Sequence, residues 1–340
     1  MTVVVSRASV VVVRCLMRIG LLALLCGVAG CSPPSILLTP VFDAGKLREQ
    51  TVQPGRGLSG EKIAIVEVEG LLINARTGGG LVSPSENRLS LFVQQMERAA
   101  RDPAVKAVVL RVNSPGGTVT ASDTMYQVVR RFRAETGKPV IASCQEVAAS
   151  GAYYVSCAAD AIVAQPTTVV GSIGVIFSSF NVEGTLNLIG VKPEVVKSGR
   201  LKDMASPFKP LAGEERQIVQ QMIDEYHRGF VAVVQSGRSL PASPAIEDLT
   251  DGRIFTGEQA LRLGLVDRLG LLDDALDLAR EKANAPGARA VMYKRPYGHS
   301  GSIYATQDAP PAGVSPTGVV LNLPESAVTL PRGFYYLWEP

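Results

Sequence analysis

Two short segments hold residue types able to do chemistry. Ala148-Ala149-Ser150-Gly151-Ala152-Tyr153-Tyr154 presents a serine directly before a glycine, and Ser198-Gly199-Arg200-Leu201-Lys202-Asp203 presents a lysine. A serine hydroxyl is a weak nucleophile until a neighbouring group takes its proton. The chain has 2 histidines, His227 and His299, neither in a segment that looks like a site, so a Ser-His-Asp arrangement is hard to assemble. A lysine can take the place of the histidine if its amine is neutral, and burial away from water is the usual way to make it so. Ser150 as nucleophile with Lys202 as base is the acyl-transfer pairing these motifs suggest. Each has a plainer reading. Serine is a favoured helix N-cap, which is compatible with a nucleophilic role, and Lys202 with Lys197, Arg200 and Lys209 also fits a solvated basic patch.

A third motif, Asn113-Ser114-Pro115-Gly116-Gly117, follows the apolar run 107–112 and precedes a helix expected from Val119. Paired glycines at a strand-to-helix turn let backbone N–H groups point at an anion, because no Cβ blocks the approach. That is how an oxyanion hole is built. A Pro-Gly-Gly turn alone is equally a plain turn. It gains weight here because a second strand-to-helix turn, 144–151, ends in Ser150-Gly151.

The elements that must position these residues alternate. Apolar segments at 63–73, 107–112, 140–143 and 161–164 read as strands separated by amphipathic helices, which implies an α/β fold with a parallel sheet covered on both faces. Met125, Val128, Val129 and Phe132 recur at helical spacing, as do Val219, Met222, Ile223 and Tyr226, so each helix has one core face. Thr256 suits a helix start, Gly264 its end, and a last helix is expected over 271–283.

Charge excludes one class of partner. The net charge is +3 with no basic run of five or more, so nothing favours nucleic acid. Cys144 and Cys157 are expected as buried free thiols, and no Cys or His spacing suggests a metal. No cofactor is expected. At the N-terminus, Arg14 and Arg18 precede an apolar run that ends in Val28-Ala29-Gly30-Cys31, the pattern of an export signal, with Met1 or Met17 as the start. It resembles a bacterial lipobox with Cys31 as the lipidated residue. An uncleaved membrane helix is the rival reading, against which stand two arginines inside the span. The organisation expected is therefore a signal segment over 1–30, a tether over 31–60, a catalytic domain over 61–284, and a Pro/Gly-rich tail over 285–340. Within that tail, Phe334-Tyr335-Tyr336-Leu337-Trp338 is apolar enough to dock.

The order of the motifs is more specific than any one of them. Asn-Ser-Pro-Gly-Gly, then Ala-Ala-Ser-Gly-x-Tyr-Tyr, then Val170-Gly171-Ser172-Ile173-Gly174-Val175, then Ser-Gly-x-x-Lys-Asp, and finally Gly-Arg-x-x-Thr-Gly and Gly-Leu-Val-Asp resemble the signal peptide peptidase A family in its short, single-domain form. The resemblance implies a ClpP/crotonase-like spiral of strand-strand-helix units. It also implies Ser150 as nucleophile, Lys202 as general base, Ser172 as the hydroxyl that positions the lysine, and the N–H groups of Gly117 and Gly151 as the oxyanion hole. Ala152 stands where the family more often has glycine. Such chains assemble into homo-oligomeric rings in which Lys202 can serve a neighbour's Ser150. The expected function is a membrane-tethered Ser/Lys endopeptidase, exported and lipid-anchored, acting on hydrophobic peptides such as cleaved signal-peptide remnants. A crotonase-type acyl-CoA enzyme shares the oxyanion turn, and an inactive lipoprotein scaffold of the same fold is the remaining alternative.

Overall fold

The computed structural model describes residues 47–56, 60–77, 86–240, 246–295 and 333–338. The expectations about the signal segment 1–30, Cys31 and His299 lie outside them. In chain order, β1 (Arg48–Gln53) and β2 (Lys62–Glu69) precede a short pair, β3 (Arg76–Thr77) and β4 (Glu86–Asn87), and helix α1 (Arg88–Arg101). β5 (Val105–Ser114) passes through one residue into β6 (Gly116–Thr118) and α2 (Val119–Thr136), and β7 (Val140–Ala149) passes through Ser150 into α3 (Gly151–Ser156). Next come β8 (Ala161–Ala164), β9 (Val169–Gly171), β10 (Ile176–Ser178), α4 (Glu183–Leu188), α5 (Gly213–Gly237) and α6 (Ile246–Leu249). The chain closes with β11 (Ile254–Thr256), α7 (Gly257–Arg262), β12 (Arg268–Leu269), α8 (Leu272–Lys282), β13 (Arg289–Lys294) and β14 (Gly333–Leu337).

The main sheet runs β1-β13-β2-β5-β7-β8-β12, and every pairing along it is parallel except the edge pair β1–β13. β5 is buried along almost its whole length, as a strand covered on both faces must be, which is why it reads as a near-continuous apolar run. One face packs on α1, α2 and α3 through Phe92, Met96, Met125, Val129 and Tyr153; the other packs on α8 through Leu272, Leu276 and Ala279. The ends of α2 follow its sequence: Thr118 Oγ1 accepts the Ala121 N–H, and Gly137 closes the helix in the left-handed conformation.

β7 is long enough to serve two neighbours. Its first half, Ile141 to Cys144, pairs with β8, and its last residues, Val147 to Ala149, pair with β9. The sheet therefore forks just before Ser150. A second, three-stranded sheet, β10-β14-β6, lies at that fork, with β14 antiparallel to both neighbours.

Two segments correct the sequence reading. Residues 48–53 show no strand periodicity and were expected within the tether, yet they form β1 against β13. β13 itself and β14 fall within the stretch expected as tail. β1 is a polar edge strand, Arg-Glu-Gln-Thr-Val-Gln, so burial leaves little pattern in it, and only a partner some 240 residues away specifies it.

Residues 176–210 form an arm with little core of its own. Phe180, Leu188, Ile189, Val195, Val196 and Phe208 are all exposed on it.

Candidate active site

Ser150 sits where β7 turns into α3, with φ 51° and ψ −117°. A positive φ is uncommon for a residue with a side chain, and where it persists the surroundings must hold it. Here they do. The Ser150 N–H donates to the Gly171 carbonyl at 2.7 Å, and the Ser150 carbonyl accepts the Tyr154 N–H at 2.9 Å. The side chain is buried, and its Oγ has no hydrogen-bond partner among the described residues. A buried hydroxyl without a partner loses stability, and such groups in native structures call for an explanation in function.

Ser172 stands beside it. Ala149 and Gly171 are in register on β7 and β9, so the two serines leave adjacent strand ends, and Ser172 shares the positive φ, 52°. The Ser172 N–H donates to the Arg253 carbonyl at 2.8 Å, which ties the turn to the start of β11.

The two glycines expected as oxyanion donors also converge. A Cβ on Gly151 would lie 3.2 Å from the Gly117 nitrogen, and a Cβ on Gly117 would lie 1.9 Å from the Leu72 carbonyl oxygen. Only glycine fits so close a backbone. On its Leu72 side β6 is fully engaged, since Leu72 N–H donates to Gly116 at 2.8 Å and Thr118 N–H donates to Leu72 at 2.9 Å. The Gly117 N–H therefore points the other way, toward Tyr336 of β14, with which Gly117 is in register. Ser122, on α2, lies under Gly151; its buried hydroxyl also has no partner among the described residues.

Lys202 is not part of this group. It lies on the exposed arm, its side chain is exposed, and its amine makes no hydrogen bond or ion pair among the described residues. Its neighbour Asp203 accepts Lys197 at 2.7 Å and Lys209 at 2.8 Å, and these hydrogen bonds hold its carboxyl at about 2. The structure thus gathers Ser150, Ser172, Gly117 and Gly151 within one chain and leaves Lys202 apart, on a surface rich in uncovered apolar side chains.

The remaining candidates resolve plainly. His227 Nε2 lies 2.7 Å from the Thr250 carbonyl oxygen. Cys144 and Cys157 are free and buried, and burial pushes both thiols up to about 12. Among the described residues no group of His, Cys, Asp and Glu is arranged to hold a metal. No helix among them is long and apolar enough to cross a membrane.

Sequence reasoning missed an aromatic cluster beside Ser150. Tyr154, on α3, stacks on Tyr336 of β14 with ring centres 5.1 Å apart, and Tyr126 and Phe230 meet Tyr154 edge-on at 5.1 Å. The Tyr-Tyr of the helix and the Tyr-Tyr of the C-terminal segment were both visible in the sequence, but nothing local tells that they meet.

A serine on a strained strand-to-helix turn, beside two converging glycine N–H groups at the end of a parallel sheet, is the framework of a serine peptidase of the ClpP/crotonase-like fold. Comparison with known proteins agrees. The profile of Clp protease matches residues 81–169 and that of Peptidase family S49 matches residues 133–286. An Enterococcus faecium protein described as a candidate signal peptide peptidase SppA is 36% identical over 254 residues, 74% of this chain and 72% of that one. Protease 4 of Salmonella typhi is 38% identical over 66% of this chain, which spans 35% of that longer protein. The chloroplastic serine protease SPPA of Arabidopsis thaliana is 35% identical over 68% of this chain and 34% of its own length. The chain belongs to peptidase family S49, the signal peptide peptidase A family.

Proposed function

We propose that this chain is a membrane-tethered Ser/Lys endopeptidase acting on hydrophobic peptides, cleaved signal-peptide remnants among them. Ser150 Oγ attacks the scissile carbonyl carbon while the neutral Lys202 amine takes its proton. The tetrahedral oxyanion is held by the N–H groups of Gly117 and Gly151. Collapse breaks the C–N bond, the Lys202 ammonium returns its proton to the leaving amine, and water then hydrolyses the acyl-enzyme with Lys202 again as base. Ser172 positions the amine through its hydroxyl. The observation that carries this reading is the buried Ser150 hydroxyl without a partner, held at positive φ beside Gly117 and Gly151.

Lys202 reaches a serine of another copy. Its exposed amine and the uncovered apolar side chains of the arm support this: a second protomer would cover Phe180, Leu188 and Val196 and close the lysine off from water, as a neutral base requires. A homo-oligomeric ring satisfies every copy in turn. Lipid on Cys31 would hold the ring at the periplasmic or extracytoplasmic face of a bacterial membrane.

Subunit mixing tests the arrangement. Ser150→Ala and Lys202→Ala should each abolish peptide hydrolysis and leave the oligomer intact. Mixed after dissociation, the two inactive variants should regain a substantial fraction of wild-type turnover, because some interfaces pair an intact Ser150 with an intact Lys202. Full activity in either single variant would remove that residue from the mechanism, and inactivity of the mixture would place the base within one chain.

A further inference from the structure

Gly117 and Gly151 belong to two different turns, and the ladder that aligns those turns is interrupted beside them. β5 pairs with β7 residue for residue as far as Val112↔Cys144, and pairing resumes at Ser114↔Ala148. Between those pairs β5 contributes one residue, Asn113, against three on β7, Gln145, Glu146 and Val147. A bulge of this kind breaks the run of main-chain hydrogen bonds and bends the bulged strand. Beyond it β7 leaves β8 and takes β9 as its neighbour.

Asn113 crosses the break with its side chain. Its Oδ1 accepts the Val147 N–H at 3.1 Å. The oxygen has to be the atom facing Val147, since the amide nitrogen would set two donors against each other. Three residues on, the Ser150 N–H donates the opposite way, to Gly171 at the end of β9, at 2.7 Å. The segment 147–150 is thus held from both sides, by a side chain of β5 and by the main chain of β9. The same stretch of β5 fixes the other turn. The Asn113 carbonyl accepts the Gly70 N–H at 3.1 Å, and the buried Ser114 Oγ donates to the Gly70 carbonyl at 2.6 Å and accepts the Gly116 N–H at 3.0 Å. Asn113 and Ser114 therefore tie the strand that ends in the nucleophile to the strand that carries Gly117.

We infer that Asn113 is a positioning residue for peptide hydrolysis: its side-chain oxygen, bridging the bulge to Val147, sets the spacing between the Gly117 and Gly151 N–H groups. The inference deepens the peptidase reading and rests on it. Spacing matters because both donors have to meet one oxygen. A Cβ on Gly116 would lie 2.8 Å from the Gly151 nitrogen, and one on Gly151 would lie 3.2 Å from the Gly117 nitrogen, so the two turns are in direct backbone contact. Negative charge develops on the scissile oxygen only as Ser150 attacks, so a spacing error weakens the transition state and leaves substrate binding in place. A misplacement of about 1 Å in such a site costs about 100-fold in rate.

The test compares two substitutions in the full chain. Asn113→Asp keeps an oxygen acceptor facing Val147, and Asn113→Leu keeps the branched shape without one. On a quenched peptide, Asn113→Leu is expected to lower kcat by about 10- to 100-fold with KM within about twofold, and Asn113→Asp to recover most of that loss. A peptide aldehyde forms a hemiacetal with Ser150 and places an oxyanion between the two N–H groups; the matching peptide alcohol cannot. The aldehyde-to-alcohol affinity ratio should fall in Asn113→Leu by the same factor as kcat, a change that a loss of folded enzyme does not produce. If Asn113→Leu does not fold, Asn113→Ala, which also lacks the acceptor, takes its place. Wild-type turnover with an unchanged ratio in the variant, or equal losses in Asn113→Asp and Asn113→Leu, would overturn this inference alone. Absence of turnover by the wild-type chain, together with no labelling of Ser150 by a fluorophosphonate or the aldehyde, would overturn the peptidase reading and this inference with it.

Discussion

Replacing Gly117 by alanine is the sharpest test of the oxyanion turn. The added methyl carbon would lie 1.9 Å from the Leu72 carbonyl oxygen and 2.5 Å from its carbon. Both are backbone atoms, and Leu72 is fixed on each side of the contact by its hydrogen bonds to Gly116 and Thr118. The clash cannot be relieved by a rotamer change, so β6 must shift, and the Gly117 N–H moves with it. Overpacking of this kind costs about 1 to 3 kcal/mol in stability. Loss of one oxyanion donor costs about 2.7 to 4 kcal/mol in the transition state, which is about 100- to 1,000-fold in kcat. Gly151→Ala provides the contrast. Its methyl meets a side-chain atom first, Ser122 Oγ at 2.3 Å, and the next contacts are at 3.1 and 3.2 Å. Adding Ser122→Gly should therefore restore most of the stability lost in Gly151→Ala, whereas no single side-chain removal relieves Gly117→Ala. Urea melts give the stabilities and steady-state kinetics on a quenched peptide give kcat. A folded Gly117→Ala enzyme with kcat within threefold of wild type would refute the assignment of that N–H.

Two further outcomes follow from groups away from the site. Cys144 and Cys157, both pushed up to about 12 by burial, should resist iodoacetamide at pH 8 in the native protein and react within minutes in denaturant, as mass spectrometry would show; rapid native labelling would contradict their burial. Lys62 Nζ lies 2.8 Å from both Glu49 and Asp102. Burial pushes those carboxyls up, but hydrogen bonds from Lys62, with Arg289 on Glu49 and the Ala104 N–H on Asp102, outweigh it and hold both below the ordinary carboxylate range. Their stabilisation is present above the unfolded-state value of about 4 and is lost as pH falls through the lower folded values, so the melting temperature should drop below about pH 4. Lys62→Met should cost about 1 to 2 kcal/mol at pH 7 and flatten that acid dependence; an unchanged acid limb in calorimetry would show that this cluster does not set it.

How far the sequence reaches differs from one element to the next. β5, α2, β8 and α8 are legible because their burial pattern and caps are local: an apolar run covered on both faces, a helical stripe closed by Gly137, a helix that starts just after the Gly270 turn. Ser150, Ser172, Gly117 and Gly151 are legible as motifs, and the sheet register brings them together. β1 and β14 are not legible. Each is a short strand specified by an edge that another part of the chain offers, β13 in one case and the slot between β6 and β10 in the other. Tyr154 illustrates the same limit inside the site. It is visible only as part of the Ser150 motif, whereas the ring it stacks on belongs to a residue 182 positions later in the chain, Tyr336. Lys202 is legible only through its motif, since its own surroundings in one chain are solvent and the salt-linked Lys197-Asp203-Lys209 group.

A slot bordered by a strand on each flank grips whatever enters it by the main chain, and the main chain is the same in every protein. To fill it, about five consecutive residues have to lie straight with both rows of amide groups unengaged. A folded protein offers no such stretch, because its own sheets and helices already use those groups. Unravelled fragments do. In this chain β14 itself fills the slot, held by β10 along Gly333–Tyr335 and by β6 along Tyr335–Leu337, so any other extended segment has first to displace it.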